Sequence, residues 1–408
     1  MTKYKQYLFE EAVKGPFQKP DLSNFPFSGK EELYKKEVER LSQINTPIVK
    51  QDKKSFTNLV VGFNSCEILN NGQFLKLSLS TKDGALDGKV WGGKDNKLEE
   101  YQEDLEPGTV YSISGKWNEW PAGSGKFSAV IDSYIPSREN ASAIVPYVQE
   151  NIVELEKELR FYISTLSEEP GEFATRLLNE IWDAFSVAPA AMGHHHFQLS
   201  GLLQHTVELL RIAHPILDME ENELENTLCY VRKLSEKAAW NEMKKHRDET
   251  PSGRFYSSFF EKEDHMLTMF NNLITAWKTE KPNRDVVIFS IIFHDMGKII
   301  EYSYANELSD KYDLFFPGMH FEKKTKSIGV SMDPYGSRLG HITLGMMFLH
   351  QYFIREESPE GDFLIDVLAC VSSHHGKKEW NSPTCPVTTN EYLVHICDYL
   401  DAKFASEK

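Results

Sequence analysis

The sequence predicts a small closed β-barrel followed by an all-α domain, and three observations carry that expectation. Residues 55–136 hold short runs rich in β-branched and aromatic residues, punctuated by turn formers. From Asn151 onward, apolar residues recur at helical spacing. Between these stretches, residues 137–150 (SRENASAIVPYVQE) show neither period and read as a linker.

The strand runs are LVVGFNSCEIL, FLKLSLS, GKVWGG, VYSISGKWNEW and KFSAVIDSYIP. Asn70-Asn71-Gly72, Lys82-Asp83-Gly84 and Pro121-Ala122-Gly123 separate them as turns. Five strands over so short a stretch suit a barrel whose edges pair with each other. FLKLSLSTKDGALDGKVW reads as strand, Asp-Gly turn and strand ending in Trp91, the centre of many OB-folds. An SH3-like or other small barrel fits the same pattern. The predicted OB-fold nucleic-acid-binding domain is 51–136. Residues 1–50 form an N-terminal extension with Pro16, Pro20 and Pro26 and a short helix expected over Glu31–Leu41.

The helical domain spans 151–408. NIVELEKELRFYISTL, LLNEIWDAF, GLLQHTVELLRIAHPIL, VVIFSIIFHDMGKII, HITLGMMFLHQYFI, FLIDVLACVSSHH and EYLVHICDYLDAKF are its main helices. Residues 216–284 interrupt it with charge-rich sequence and a break at Pro251-Ser252-Gly253. They read as a solvated helical insertion. A lid, or a contact between copies of the chain in a homo-oligomer, is the functional alternative.

Composition narrows the class. With 45 basic and 61 acidic residues the net charge is −16, which argues against bulk coating of nucleic acid but leaves a local basic groove open. Five scattered cysteines without a CxxC pair argue against a disulfide framework and a structural zinc cluster. The N-terminus lacks a long apolar core, and no apolar run reaches the about 18 residues that a membrane span needs. A cytoplasmic protein with no membrane partner is expected.

The chemistry centres on His294-Asp295 within FSIIFHDMGKIIEY, where an apolar run delivers an imidazole and a carboxylate to a helix end. His205, His341, His374, His375 and Asp398 are further candidate ligands, each at the end or on the inner face of another helix. A lone histidine on an apolar helix is ordinarily a satisfied core residue, but a set spread over separate helices is how bundles build metal centres. Nitrogen and oxygen donors without thiolate favour Mn²⁺, Co²⁺, Fe²⁺ or Mg²⁺ over structural zinc. The candidates exceed one tetrahedral shell, so one or two ions are expected, suited to hydrolysing phosphate esters. Lys298, one turn after His294, is placed to stabilise developing phosphoryl charge, unless it is a solvated helix residue.

The order H…HD…H…H…D resembles the HD-domain phosphohydrolases. HHFQLSGLLQHT, HDMGK, GSRLGHITLG, SSHHGKKEWNSPTCPVTTNE and HICDYLDAKF resemble, more narrowly, the YhaM-type 3′–5′ exoribonucleases. The resemblance covers about residues 55–215 and 285–405. It implies an OB-fold ahead of an HD domain. It makes His205, His294, Asp295 and Asp398 the core metal set, with His341 and His374 completing a second site and His375 at its edge. It places His195 and His196 near phosphate or metal, Arg338 on substrate phosphate, and Asp401 as an orienting neighbour. Two stretches, His205 to His294 and Lys298 to Gly336, are longer than the family's, and Ser200 and Asn381 stand where the family usually has glycine.

The barrel offers a strand handle. Phe63, Phe74, Trp91, Trp117, Trp120 and Phe127 are candidate stacking residues, with Lys76, Lys89, Lys116 and Lys126 as a basic track. Trp117 and Trp120, beside the Pro121–Gly123 loop, are expected at the surface. The whole reads as a metal-dependent 3′–5′ exonuclease of single strands, RNA before DNA, with Asp295, Lys298 and Arg338 in its chemistry. A hydrolase of free or cyclic nucleotides, and a non-catalytic single-strand binder with a structural metal, are the alternatives.

Overall fold

The computed structural model describes residues 17–26, 48–69, 72–92, 98–137, 144, 148, 150–191, 198–246, 254–304, 311–321, 330–356 and 361–404. The helix expected over Glu31–Leu41, the Asn70-Asn71 step, the break at Pro251-Ser252-Gly253 and the pair His195-His196 lie outside them.

The barrel forms from β1 (Ser55–Leu69), β2 (Phe74–Thr81), β3 (Gly84–Trp91), β4 (Thr109–Glu119) and β5 (Phe127–Pro136), with α1 (Leu98–Asp104) between β3 and β4. It closes in the order β1-β2-β3-β5-β4, an OB-like arrangement. The period-two pattern explains its core: Leu75, Leu77 and Leu79 point inward against Leu86, Val90, Ile113 and Ile131. Gly84, with φ +104, makes the tight turn from β2 to β3. Closure needs Gly115, because a Cβ there would lie 2.0 Å from the Val130 carbonyl oxygen where the β4–β5 register shifts.

The same parity corrects the expectation for Trp117. Tyr111, Ile113 and Trp117 share the inward face of β4, so Trp117 is only 2% exposed, its ring 4.7 Å from Phe56. Phe63 is likewise core. Neither can stack on a base. Trp120, 75% exposed, and Trp91, 51% exposed, remain on the surface.

The helical part begins with α2 (Ile152–Ser164), whose N-cap Asn151 accepts the Val153 N–H, and α3 (Glu168–Phe185). Then come α4 (Gly201–Leu217), α5 (Glu221–His246), α6 (Arg254–Thr279), α7 (Arg284–Phe293) and α8 (Lys298–Glu301). The short strands β6 (Tyr302–Ser303) and β7 (Ser331–Met332) pair with each other and flank α9 (Lys311–Phe315). The chain ends with α10 (Gly336–Leu339), α11 (His341–Arg355), α12 (Gly361–Ser373) and α13 (Thr389–Phe404). Helix α7 is buried on every side from Val286 to Phe293, and it packs against α4, α12 and α13. A helix with no polar face belongs at the centre of a bundle, and this one carries the His294-Asp295 step at its end.

Two expectations about the periphery change. The charged insertion is a hairpin of α5 and α6 whose base is core: Leu224, Leu228 and Val231 are buried on one helix, and Met266, Phe270, Leu273 and Trp277 on the other. Their i, i+4, i+7 spacing gives each helix an apolar stripe at that end. The N-terminal extension contributes to the core as well. Phe17 is buried in the helical core, and Phe25 meets Phe161 edge-on at 5.7 Å. In the stretch read as a linker, Ile144 packs against Val110 of the barrel, and Val148 sits in the helical core.

Both departures from glycine fall on left-handed backbone. Ser200 and Asn381 each have φ +64. Asparagine tolerates that region, whereas serine is strained there. Ser200 is also fully buried, and its hydroxyl finds no hydrogen-bond partner. Ser200→Gly should therefore stabilise the fold by about 1–2 kcal/mol, read as a rise in thermal midpoint. Asn381→Gly should change it little.

Candidate metal centre

Helix α7 ends at His294, and a short turn leads through Gly297 into α8. Gly297 is required sterically: a Cβ would lie 1.9 Å from the His341 carbonyl oxygen. Its absence lets the start of α11 close onto the His294-Asp295 turn. Gly336 does the same one layer out, where a Cβ would lie 2.3 Å from the Ile300 carbonyl oxygen.

Five imidazoles then converge, and each has its Nδ1 committed elsewhere. His294 Nδ1 donates to the Ile291 carbonyl at 2.8 Å and His374 Nδ1 to the Val371 carbonyl at 2.7 Å. His375 Nδ1 donates to the Trp380 carbonyl at 2.7 Å. His205 Nδ1 lies 2.6 Å from Asp401 Oδ2, and His341 Nδ1 lies 2.8 Å from Glu301 Oε2. Carbonyls and carboxylates accept, so each Nδ1 carries a proton and each Nε2 is the atom available to a cation.

The Nε2 atoms meet around Asp295. Its Oδ2 lies 3.3 Å from His205 Nε2 and 3.3 Å from His294 Nε2. Its Oδ1 lies 3.5 Å from His341 Nε2 and 3.6 Å from His374 Nε2. Asp398 Oδ1 is 3.3 Å from His205 Nε2, and His375 Nε2 is 3.3 Å from His341 Nε2. Two triads result, His205–His294–Asp295 and His341–His374–His375, each with donor atoms within 4.8 Å of one another. The structure thus brings together every candidate ligand read from the sequence, across α4, α7, α11, α12 and α13.

The donor set fits a divalent ion. His294 Nε2, His374 Nε2 and Asp295 Oδ1 are buried without a hydrogen-bond partner. Lone pairs facing each other in a dry site cost free energy unless a cation lies between them. The protonation states of His374, His375 and Asp295 agree. Burial, joined by the neighbouring histidines, pushes His374 and His375 down, which favours the neutral form that ligates. Burial opposes charge on Asp295, yet His294 and Lys298 outweigh it and hold the carboxyl well below the usual range. Burial also opposes charge on His205, but Asp295, Asp398 and Asp401 hold that ring well above its ordinary value. An arriving cation would displace its proton.

Lys298 is set against Asp295, with Nζ 2.5 Å from Oδ2 and little of the side chain exposed. Arg338 is exposed on α10, just ahead of His341. Asp333 anchors that helix by accepting the N–H groups of Tyr335 and Gly336, each at 2.9 Å.

Glu301 and His395 escaped the sequence reading. Glu301 was visible as the single acid in the apolar KIIEYSY stretch, and His395 as one helical turn before Asp398. On the barrel, Phe74 and Trp91 pair across β2 and β3 with ring centroids 5.3 Å apart. Lys89 Nζ lies 5.6 Å from the Phe74 ring, and Lys76 pairs with Lys89 two register positions along, on the same face.

Residues 263–403 match the family model described as HD domain. The chain contains an HD domain. The HD match covers every candidate ligand except His205, which α4 brings in from outside it. The chain is also similar to proteins named "3′-5′ exoribonuclease YhaM". The one from Listeria monocytogenes serotype 4b is 24% identical over 334 residues, covering 82% of this chain and 80% of the relative. Those from Listeria welshimeri and Bacillus pumilus are 25% and 22% identical, covering 82% and 85% of this chain and 80% and 84% of the relatives. The likeness to these proteins thus extends over most of the chain.

The carboxylates behind His205 and His341 separate the two triads experimentally. Asp401→Asn should weaken divalent-ion binding at the first triad, and Glu301→Gln at the second, each by about 10- to 100-fold. Titration calorimetry with Mn²⁺ checks both.

Proposed function

We propose that the protein is a metal-dependent 3′–5′ exonuclease that hydrolyses single-stranded nucleic acid, RNA in preference to DNA, using one or two Mn²⁺ ions. A hydrolytic phosphodiesterase is the class that the HD domain and the exoribonuclease relatives support. The observation that carries the finer reading is the Asp295 carboxylate shared between two histidine triads, an arrangement suited to a pair of ions.

In this reading His205, His294, Asp295 and Asp398 would hold the first ion, and His341, His374 and His375 would hold the second, with Asp295 close to both sets. The ions would supply Lewis-acid charge to a scissile phosphodiester and activate water for its attack. Lys298 keeps Asp295 ionised and oriented. Arg338, exposed beside the site, takes a substrate phosphate, as do His195 and His196 from the segment beyond the described residues. Glu301 and Asp401 fix the rings they bond. The apolar wall of α7 keeps bulk water from the buried side of the centre, which strengthens each interaction within it.

The barrel would hold the strand. Phe74, Trp91 and Trp120 offer ring faces, and Lys76 and Lys89 offer charge along the outer surface of β2 and β3. A net charge of −16 concentrates the attraction for nucleic acid on such local patches. Five free cysteines fit a reducing compartment, and no helix among the described residues is long and apolar enough to cross a membrane.

End-labelled RNA and DNA strands incubated with Mn²⁺ test the activity. Mononucleotide release from the 3′ end, faster on RNA, is expected, and a chelator should abolish it. Asp295→Ala should lower the rate by about 1,000-fold, consistent with the several kcal/mol that metal-ion electrostatics supply. Turnover of free or cyclic nucleotides with none from strands would instead favour a small-phosphoester hydrolase. Chelator-insensitive strand binding without hydrolysis would favour a non-catalytic binder.

The handle has its own test. Replacing Phe74 and Trp91 together by alanine should raise KM for a long strand by about 5- to 100-fold, since stacking contributes about 1–3 kcal/mol per base. Hydrolysis of bis(p-nitrophenyl) phosphate should be unchanged. Equal losses on both substrates would rule out a strand-holding role for this face.

A further inference from the structure

We propose that His265 and His395 are positioning residues that lock the His374–His375 turn, so that the α5–α6 hairpin braces one half of the metal centre. This inference rests on the metal reading above.

Helix α12 ends at Ser373, so the His374 carbonyl has no partner within the helix. His395 on α13 supplies one, with Nδ1 2.7 Å from that oxygen. A carbonyl only accepts, so His395 Nδ1 carries a proton, and the neutral ring leaves Nε2 with a lone pair. His265 Nε2 on α6 lies 2.9 Å from His395 Nε2 and must be the donor. Burial, with His395 and Lys377 close by, pushes His265 down to about 3, so its ring is neutral. The result is a directional chain: His265 N–H to His395, then His395 N–H to the backbone of His374.

The turn is moulded around this chain. Gly376 has φ +79, and a Cβ there would lie 2.2 Å from His395 Cε1, so the imidazole fills the space that a side chain would need. The ring of His265 is held edge-on by Trp380 at 4.6 Å and Tyr399 at 5.2 Å. Trp380 in turn offers its carbonyl to His375 Nδ1. Both histidines of the turn are therefore fixed from one side by a single box: His374 through its carbonyl, His375 through its ring. None of these hydrogen bonds runs to His205 or His294. Loss of the His265 donor would free His395 to rotate and would loosen the second triad while sparing the first.

The test compares the full-length wild type with His265→Phe, which keeps the ring and removes the donor, and His265→Gln, which keeps an N–H near the Nε2 position. Mn²⁺ calorimetry gives the affinities, and Co²⁺ absorption gives an independent signature of the ligand field. The Phe variant should lose about tenfold or more in affinity at the site that Glu301→Gln also weakens, with the other site unchanged. The Gln variant should stay within a few-fold of wild type at both. Wild-type affinities in His265→Phe would overturn the inference while leaving the metal reading intact. Equal weakening of both sites, or a Gln variant as weak as Phe, would reduce His265 to packing and overturn it as well. Failure of the wild type to bind Mn²⁺ or Co²⁺ would overturn the metal reading itself, and this inference with it.

Discussion

A carboxylate almost wholly removed from water, facing the lone pairs of four imidazoles, is the constraint around which the helical domain is arranged. An isolated ion in that position would cost several kcal/mol in desolvation. Asp295 tolerates it because Lys298 lies against one oxygen, and a cation among the facing lone pairs would offset the remainder. The imidazoles can approach only because their other nitrogens are already bonded to carbonyls or carboxylates. Those outer bonds choose the tautomer, and the tautomer chooses which atom faces the centre.

The packing serves the same end. Helix α7, buried on every side from Val286 to Phe293, is stable only at the middle of the bundle, and its C-terminus is therefore a buried point on which four other helices converge. Glycines at 297, 336 and 376 stand where backbone or an imidazole comes too close for a side chain. They set the distances between helix ends, and those distances set the separations among ligands. The insertion joins this scheme through its base: the end of the hairpin that carries an apolar stripe also carries His265.

The barrel works on a different principle. It has its own core and its own rule of alternation, and what it offers a ligand is a surface. The outward positions of β2 and β3 place two aromatic rings and two lysines on one face of a chain that is strongly acidic overall. In the proposed reading, opposing requirements are thereby separated: bulk charge for solubility, a local track for phosphate.

The sequence by itself determined the order of a barrel and an all-α domain, because the two hydrophobic periods differ and neither depends on distant residues. It also exposed the candidate ligands, since polar, metal-binding residues inside apolar helical runs are conspicuous in one dimension. The two positions where the family resemblance implies glycine, Ser200 and Asn381, both lie on left-handed backbone. Tertiary structure alone decided the rest. Trp117 looked like a surface residue beside a loop, but register on β4 turns it inward. The hairpin looked solvated because charge dominates its composition, while its buried stripe has meaning only against α13. Glu301, His265 and His395 act through partners 40, 130 and 21 residues away. Which nitrogen meets which oxygen is settled when helix ends pack, and no local pattern of the chain encodes it.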